Sequence, residues 1–285
     1  PGARPNQIVE RLTNLEGSHI LTTVYLGLDV MCGDGAEMVI LPPFPTLQNV
    51  GLSGVLVTFS NQLTEPANRA ALAFRACVDA AEIHGVLETS TSLTSSFIRY
   101  DVALIDSATL KKHLSNLLTH QNWGVADLPP QRRLWRIPAA FGGVNGPQLD
   151  EAAQLAGLTS AQAVAMIAAT PVRVMTIGFA PGQPYLGVLP DKWDIPRQSH
   201  LTKSVPEGAL VTAIRQLIVF TAATPTGWRH IAQTAFRGFR PESSMPFAFR
   251  PGDELQFVPI DAAQLDEIRA RDTSGNGGAE IEQMA

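Results

Sequence analysis

Cysteine is scarce in this sequence: Cys32 and Cys77 are the two thiols in 285 residues. Two cysteines cannot build the disulfide framework that stabilises small secreted proteins, so we expect a reducing, cytoplasmic compartment. Cys77 falls on the apolar face of a predicted helix, where a free thiol packs as a small hydrophobic group.

Long apolar runs and clustered cations are also missing. No stretch approaches the ~20 apolar residues that cross a bilayer. The partly apolar segment 20–30 is interrupted by Asp29 and lacks the basic region that opens a signal peptide. The formal net charge is -5, and basic residues occur as scattered pairs such as Lys111 and Lys112. We therefore expect no membrane anchor and no nucleic-acid partner.

Several cofactor and catalytic motifs are absent as well. The sequence has no phosphate-binding G-x-x-x-x-G-K-[ST] loop, no G-x-G-x-x-G after a predicted strand and no G-x-S-x-G turn. Its six histidines are dispersed, without H-E-x-x-H or C-x-x-C spacing. We therefore predict that this chain binds no nucleotide, metal or other cofactor by itself.

What is present is a globular composition, with 45% hydrophobic and 16% charged residues. Residues 1–41 show little periodicity and are treated as an extension of unknown role. Residues 42–130 contain predicted strands at 53–60, 85–89 and 97–100, and predicted helices at 65–82 and from Ser107 onward. The order strand, helix, strand, strand, helix predicts a ferredoxin-like α+β domain.

A polar, proline-rich segment at 127–131 precedes a second domain over residues 131–265. After two short helices, at 148–156 and 160–169, this domain consists of short apolar runs separated by glycine and proline, which indicates a β-barrel. The glycine- and serine-containing end, residues 266–285, is predicted to be a flexible tail. The predicted fold class is therefore α+β.

The ten residues 178–187 read Gly-Phe-Ala-Pro-Gly-Gln-Pro-Tyr-Leu-Gly and follow a predicted strand. Glycine permits positive φ and proline fixes φ, so this segment is predicted to be a rigid, irregular loop. Such a loop can present backbone amides to an anionic or carbonyl ligand. On chemistry alone, a tight barrel corner with a buried Tyr185 is the stronger interpretation.

This loop resembles the G-F-x-P-G-F-P-Y-L-G signature of the family that includes the B-subunit of 5-oxoprolinase, allophanate hydrolase subunit 1 and a sporulation-kinase inhibitor, with Gln183 at a position that is commonly Phe. Further similar segments follow in the family's order over residues 42–261: Phe141-Gly142-Gly143, Gly146-Pro147, Pro196-Arg197, Val205-Pro206-Glu207-Gly208, Thr224-Pro225-Thr226-Gly227-Trp228 and Arg250-Pro251-Gly252-Asp253. The chain is identified as a divergent member of this family.

The resemblance implies a ferredoxin-like domain followed by a cyclophilin-like β-barrel. It implies a hydrolase subunit that acts with a homologous barrel subunit, similar to the C-subunit of 5-oxoprolinase or to allophanate hydrolase subunit 2. Together with a third subunit, such a complex uses ATP to open 5-oxoproline to glutamate; a related amide or urea carboxyltransferase-type complex is also implied. The substrate is then a small amide or lactam. The alternative is a non-catalytic binding protein, such as a histidine-kinase inhibitor.

Nine residues form the candidate substrate-binding set: Gly178, Phe179, Pro181, Gly182, Pro184, Tyr185, Arg197, Gln216 and Trp228. In this interpretation Arg197 neutralises a substrate carboxylate, and Gln216 orients a carbonyl group. Tyr185 or Trp228 forms a wall of the pocket. For the glycines and prolines, maintenance of the fold is the stronger interpretation. No catalytic residue is assigned.

The sequence departs from the family at polar positions. Gln148 stands where the family has Asp, Ile167 stands where it has His, and residues 213–218 keep only Gln216 of a glycine-rich turn. These changes remove a charged or acid–base partner, and residues with a Cβ adopt positive φ only with strain. Either the site is rebuilt for another substrate, or this member has lost catalysis.

Overall fold

The computed structural model describes residues 44–284. Its first unit, called the small unit below, contains a four-stranded antiparallel sheet. The strands are β1 (Thr46–Val50), β2 (Gly54–Thr58), β3 (Val86–Ser92) and β4 (Ser95–Tyr100). The strand order in this sheet is β1-β2-β4-β3. The extension predicted for residues 1–41 lies outside the described residues.

Two helices, α1 (Glu65–Ala80) and α2 (Ser107–Leu118), pack against this sheet and share its hydrophobic core. Helix α1 begins where expected, because the Thr64 hydroxyl accepts a hydrogen bond from a backbone N–H of the first turn. The sequence pattern predicts Ser107 as the cap of helix α2, whereas the cap is Asp106, whose carboxylate accepts two backbone hydrogen bonds.

The predicted order of strand, helix, strand, strand and helix is found in this unit, together with the strand β1, which was not predicted. In a ferredoxin-like unit the fourth strand follows the second helix. Within the described residues, the strand beside β2 is instead β1, which precedes it in the chain and pairs with it antiparallel. The ferredoxin-like description of this unit stays a prediction.

The second unit is built around β5 (Arg133–Phe141), β6 (Val172–Ile177), β7 (Pro184–Gly187), β8 (Thr202–Val205), β9 (Ala209–Ala213), β10 (Gln216–Val219), β11 (Thr224–Thr226), β12 (Arg229–Gln233) and β13 (Glu254–Ile260). Seven of these form a closed barrel in the order β12-β9-β10-β7-β6-β13-β5, which the pairing of β12 with β5 closes. Strands β8 and β11 form a separate ribbon. The predicted β-barrel and the α+β class are confirmed.

The barrel interior holds the largest core, to which every barrel strand contributes. Helices α3 (Leu149–Leu155) and α4 (Ser160–Ala169) add side chains to this core, including the fully buried Ile167. Within the described part of the chain, no single helix is long and apolar enough to cross a membrane. Helices α3 and α4 together have the length and apolar composition of a membrane span, but the chain bends by 85° between them.

The prediction of a flexible tail over 266–285 is wrong for the described residues. Helix α5 (Ala262–Arg271) is followed by β14 (Glu280–Gln283), which pairs antiparallel with the first half of β5. Between them the Asp272 carboxylate accepts hydrogen bonds from the turn, and the Arg237 N–H donates to the Gly275 carbonyl oxygen at 2.9 Å. The glycines here provide positive φ for a turn fixed on the barrel.

Helix α1 and strand β6 connect the two units. Asn68 is fully buried, and its Nδ2 donates to the Met175 carbonyl oxygen at 3.3 Å and to a carbonyl oxygen of the small unit at 2.6 Å. Beside it, Arg173 forms an ion pair with Glu65 at 3.1 Å. Because Met175 and Arg173 belong to β6, these contacts hold the strand from which the predicted loop starts.

Candidate functional site

The segment 178–183 joins β6 to β7 as a tight turn. The Gly178 N–H donates to the Gln183 carbonyl oxygen at 3.1 Å, and the Gln183 N–H donates within the loop at the same distance. Gly182 has a φ of +69°, and a Cβ at this position would lie 2.9 Å from the Gly238 carbonyl oxygen. Glycine at position 182 is therefore required by the shape of the loop.

The loop presents Phe179 and Pro181 at the protein surface and buries Pro184. Phe179 is 55% exposed although its side chain is apolar. Together with the two glycines, these residues give the loop its conformation and an exposed apolar rim. Of the other predicted residues, Tyr185 lies on β7 and Gln216 on β10, Trp228 directly precedes β12, and Arg197 lies in the segment before β8.

The outer face of β7, β10, β9 and β12 carries the candidate site. On this face Ile218 lies opposite Tyr185 on one side and Val211 on the other. Val211 in turn lies opposite His230. Directly paired residues project from the same side of a sheet, so these four side chains form one row across the barrel wall.

The centre of this face is apolar. Its buried side chains form a hydrophobic cluster separate from the barrel interior, which consists of Val205, Ala209, Val211, Ala213, Ile218, Phe220 and Trp228. Val205 belongs to the β8–β11 ribbon, which therefore packs on this face. The face thus has an apolar floor, and its polar character comes from the residues around it.

Three of the predicted residues come together at the edge of this floor. The rings of Tyr185 and Trp228 have centroids 6.2 Å apart and pack edge to face. The Arg197 guanidinium lies over the Trp228 ring, 5.4 Å from its centroid. Burial raises the pKa of Tyr185, and the positive charge of Arg197 opposes this rise. Tyr185 therefore keeps its proton at neutral pH and lies close to a cation.

Arg197 differs from its neighbouring arginines in having no ion pair within residues 44–284. Arg215 is paired with Asp191, and Arg229 is paired with Glu151. Arg197 is exposed, and its guanidinium contacts the Trp228 ring. A guanidinium held in this way can bind a carboxylate through two parallel hydrogen bonds.

Gln216 lies two residues before Ile218 on β10 and therefore projects from the same face. Its Nε2 is buried and has no hydrogen-bond partner in the described part of the chain, and the same holds for the Oε1 of Gln183. The imidazole of His230 and the carboxamide of Gln233 lie beside each other on the same face, and their contact acts on the His230 pKa against the effect of burial. All four side chains are more than nine-tenths buried. This face therefore has buried polar groups next to its apolar floor, and within the described residues the Gln216 Nε2 is a donor without an acceptor.

His230 and Gln233 are polar residues of this face that the sequence pattern did not predict. The available signal was the alternation along 229–233, where Ile231 points into the barrel core and His230 therefore points outward. In an exposed sheet this alternation predicts a solvated histidine. The β8–β11 ribbon, which buries this face, could not be inferred from the pattern.

The neutral state of His230 leads to a prediction about stability and pH. Burial lowers the pKa of His230 from its ordinary value of 6.5. Below about pH 6.5 the unfolded chain therefore binds more protons at this residue than the folded chain does, and stability falls as the pH is lowered through this window. Above it, His230 adds no pH dependence.

Urea unfolding of the wild type and of His230→Gln, at pH values from about 5 to 8, measures this effect. The free energy of unfolding of the wild type, relative to the variant, is expected to decrease as the pH falls below about 6.5. A difference that stays constant over the whole range would contradict the assignment of a buried, neutral imidazole.

The turn between β9 and β10 keeps the backbone of a glycine turn without containing glycine. Ile214 and Arg215 have φ values of 44° and 61°, as both central residues of a type I′ hairpin turn require. The Ile214 N–H donates to the Ile195 carbonyl oxygen and the Arg215 N–H to the Trp193 carbonyl oxygen, each at 2.8 Å. The strain expected at 213–218 is therefore present, and the hydrogen bonds to the segment 193–195 stabilise the turn.

Replacement of Ile214 by Asn is expected to raise the free energy of unfolding by about 0.5–1 kcal/mol, because Asn adopts positive φ with less strain than a β-branched residue. Ile214 is partly exposed, so little apolar burial is lost. Urea unfolding measures the change, and Ile214→Val, which keeps the β-branch, is the matched control with no expected gain. A loss of stability in the Asn variant would mean that the packing of Ile214 outweighs its backbone strain.

The two other departures from the family pattern lie in different surroundings. Ile167 is fully buried and packs in the barrel core. Gln148 lies beside the candidate site, where its side-chain oxygen accepts a hydrogen bond from the backbone N–H of His230 at 2.9 Å. The change at 167 therefore adds an apolar side chain to the core, whereas the change at 148 affects the polar network next to Trp228.

A cavity of about 430 Å³ lies in the small unit, where Phe59, Thr64 and Trp123 are among its lining residues. None of the nine predicted residues lines it, and its lining contains no charged side chain. We place the candidate site on the barrel face instead, because that face combines an unpaired cation, an aromatic wall and unpartnered polar side chains.

Comparison with known proteins places the chain in a family. The family described as carboxyltransferase domain, subdomain C and D, matches residues 45–249. The chain is 28% identical over 226 residues to the 5-oxoprolinase B-subunit of Bacillus subtilis (strain 168), which covers 75% of this chain and 92% of that protein. It is 38% identical over 132 residues to the 5-oxoprolinase B-subunit of Escherichia coli O157:H7, which covers 46% of this chain and 61% of that protein.

Two solved structures share the fold of this chain. TTHA0988 superposes with a TM-score of 0.60 at 26% identity, over 73% of this chain and 40% of that chain, so the present chain spans less than half of that protein. The urea carboxylase of Kluyveromyces lactis superposes with a TM-score of 0.64 over 84% of this chain and 24% of that chain, and at 15% identity this likeness shows the fold alone. The family match over 45–249 and the similarity to proteins named as the B-subunit of 5-oxoprolinase confirm the resemblance: the chain belongs to the carboxyltransferase-domain family, subdomains C and D.

Proposed function

We propose that this chain is a subunit of an ATP-dependent 5-oxoprolinase complex that opens 5-oxoproline to glutamate, and that it acts only with a partner subunit. The observation that carries the proposal is the cluster of Tyr185, Arg197 and Trp228 on the outer barrel face. Its support from known proteins is that relatives at 28% and 38% identity are named as the B-subunit of 5-oxoprolinase.

The chemistry of the cluster suits a small lactam that carries a carboxylate. Arg197 has a free guanidinium for the carboxylate. Trp228 and Tyr185 provide an aromatic wall for the ring, and the Tyr185 hydroxyl adds a hydrogen-bond donor. Gln216, farther along the same face, has an unpartnered Nε2 that can donate to the lactam carbonyl. The sequence has no phosphate-binding loop, so we place the use of ATP in another subunit.

The partner in this proposal is a homologous barrel subunit, similar to the C-subunit of 5-oxoprolinase. Two features support an incomplete site in this chain alone. The loop next to the cluster exposes Phe179, an apolar side chain that a second polypeptide can cover. In addition, the cluster has a cation and donors but no carboxylate that could act as a general base. We expect the partner subunit to cover Phe179 and to provide the general base. We also expect the complex to lie in the cytoplasm.

A non-catalytic binding protein, such as a histidine-kinase inhibitor, is the second candidate. The observation that favours it is Ile167, which stands where the family has His and is fully buried in the barrel core. In the resemblance to the family, an ionisable group is therefore replaced by an apolar one at this position. In this alternative the cluster binds a partner and carries out no reaction.

The test is reconstitution of the chain with its second barrel subunit and the third subunit of the complex. We expect release of glutamate from 5-oxoproline that depends on ATP and on the presence of this chain. An intact, purified complex that shows no turnover would exclude the oxoprolinase function and leave the binding protein as the remaining candidate.

A further inference from the structure

Gln148 connects two parts of the candidate site through its carboxamide. Its Oε1 accepts a hydrogen bond from the His230 N–H at 2.9 Å, and its Nε2 donates to the Gln198 Oε1 at 2.6 Å. Its backbone N–H also donates to the His230 carbonyl oxygen at 2.9 Å. Gln148 is thereby fixed on β12, and its side chain reaches the segment that carries Arg197.

Gln198 extends this connection to Trp228. Its Nε2 donates to the Trp228 carbonyl oxygen at 2.9 Å and to the Thr202 hydroxyl at 3.3 Å. Its backbone N–H donates to the Gly227 carbonyl oxygen at 2.7 Å. Both carboxamides, those of Gln148 and Gln198, are thus used as donor and as acceptor at the same time.

Arg197 lies between two residues that are fixed in this way. On one side, the Pro196 carbonyl oxygen accepts a hydrogen bond from the Arg229 side chain. On the other side, Gln198 is held by Gln148 and by the backbone before β12. Because Arg197 has no ion pair within the described residues, its position over Trp228 depends on these two neighbours.

We infer that Gln148 is a positioning residue that acts through Gln198 to hold the Arg197 guanidinium over Trp228, ready for a substrate carboxylate. The identity of that ligand, a lactam with a carboxylate, rests on the proposed function; the placement of Arg197 does not. In this account Gln148 is the matched carboxamide of Gln198 rather than a lost acid. A carboxylate at 148 can only accept hydrogen bonds, so it would oppose the Gln198 Oε1.

The variant that tests the inference is Gln148→Glu, which keeps the size of the side chain and removes its donor. To meet the new carboxylate, Gln198 must turn its amide and lose its bond to the Trp228 carbonyl oxygen. The double variant Gln148→Glu with Gln198→Lys restores a donor between the two acceptors. Gln154→Glu, an exposed residue of α3, is the matched control for an added charge.

The first readout needs no ligand. In the NMR spectrum of arginine-labelled protein, the side-chain protons of Arg197 are expected to be shifted upfield by the Trp228 ring. This shift should disappear in Gln148→Glu, return in the double variant and stay unchanged in Gln154→Glu. An upfield shift that persists in Gln148→Glu would overturn the inference.

The second readout compares 5-oxoproline with 2-pyrrolidinone, the same lactam without the carboxylate, as probes of the reconstituted complex. Gln148→Glu is expected to weaken 5-oxoproline binding by about tenfold or more, as the loss of a charge-assisted contact does, and to leave 2-pyrrolidinone unchanged. Equal weakening of both probes would contradict a role through Arg197. Absence of binding by the wild type would count against the proposed function, while the NMR shift would still decide the role of Gln148.

Discussion

Replacement of Gly146 by Ala is expected to destabilise the folded chain by about 3 kcal/mol or more. A Cβ at this position would lie 2.0 Å from the Ile231 carbonyl oxygen and 2.7 Å from the Gly142 nitrogen. Both are backbone atoms, so no side-chain rotation relieves the overlap. Because Gly146 has an extended φ of -158°, the effect comes from this close approach and not from a left-handed conformation.

Gly143→Ala in the same turn is the matched control. A Cβ there meets no atom within 4 Å, but the residue has a φ of +54°. We therefore expect a smaller loss of about 1 kcal/mol. Urea unfolding of the two variants measures both values. Similar losses for Gly143→Ala and Gly146→Ala would contradict the close contact between this turn and β12.

Replacement of Arg197 by Ala is expected to weaken 5-oxoproline binding to the complex by about ten- to a hundredfold, because a charge-assisted hydrogen-bonded pair contributes about 1.5–3 kcal/mol. The melting temperature should stay unchanged, since Arg197 is exposed and its described contact is with the Trp228 ring. The affinity of Arg197→Lys for 5-oxoproline is expected to lie between those of the wild type and Arg197→Ala, because Lys keeps the charge but not the planar pair of donors.

Lys203→Ala is the matched control for Arg197→Ala. Lys203 is an exposed cation on the neighbouring strand β8, and its removal changes the net charge by the same amount. Binding of 5-oxoproline is measured by calorimetry, and the control is expected to bind as the wild type does. An unchanged affinity in Arg197→Ala, or a large fall in its melting temperature, would show that Arg197 is structural.

The small unit could be predicted almost element by element because its helices have clear caps and apolar periodicity. Helix α1 shows this best, since Thr64 and the periodic apolar residues after it define its start and its buried face. Strand β1 was missed because it is short and mostly half-exposed, and so lacks a clear alternation. The prediction of a flexible tail was wrong because its glycines indicated flexibility. In the structure they form a turn that packs against the barrel.

Several residues of the candidate site could be predicted from the sequence, but their spatial arrangement could not. Tyr185, Arg197 and Trp228 were identified from the family resemblance, and the structure brings them together. His230 and Gln233 were missed because their position depends on strand register across four strands of a closed barrel. Register is set by long-range pairing, which residue spacing along one strand does not specify.

We propose that the substrate binds on the outer barrel face beside Trp228. The most direct test is the indole N–H spectrum of the reconstituted complex, in which this chain contributes four tryptophan side chains, titrated with 5-oxoproline. We predict that the Trp228 signal shifts, while those of Trp135 and Trp193 in the barrel core stay in place. A shift of Trp123, which lines the cavity of the small unit, with an unchanged Trp228 would contradict the account.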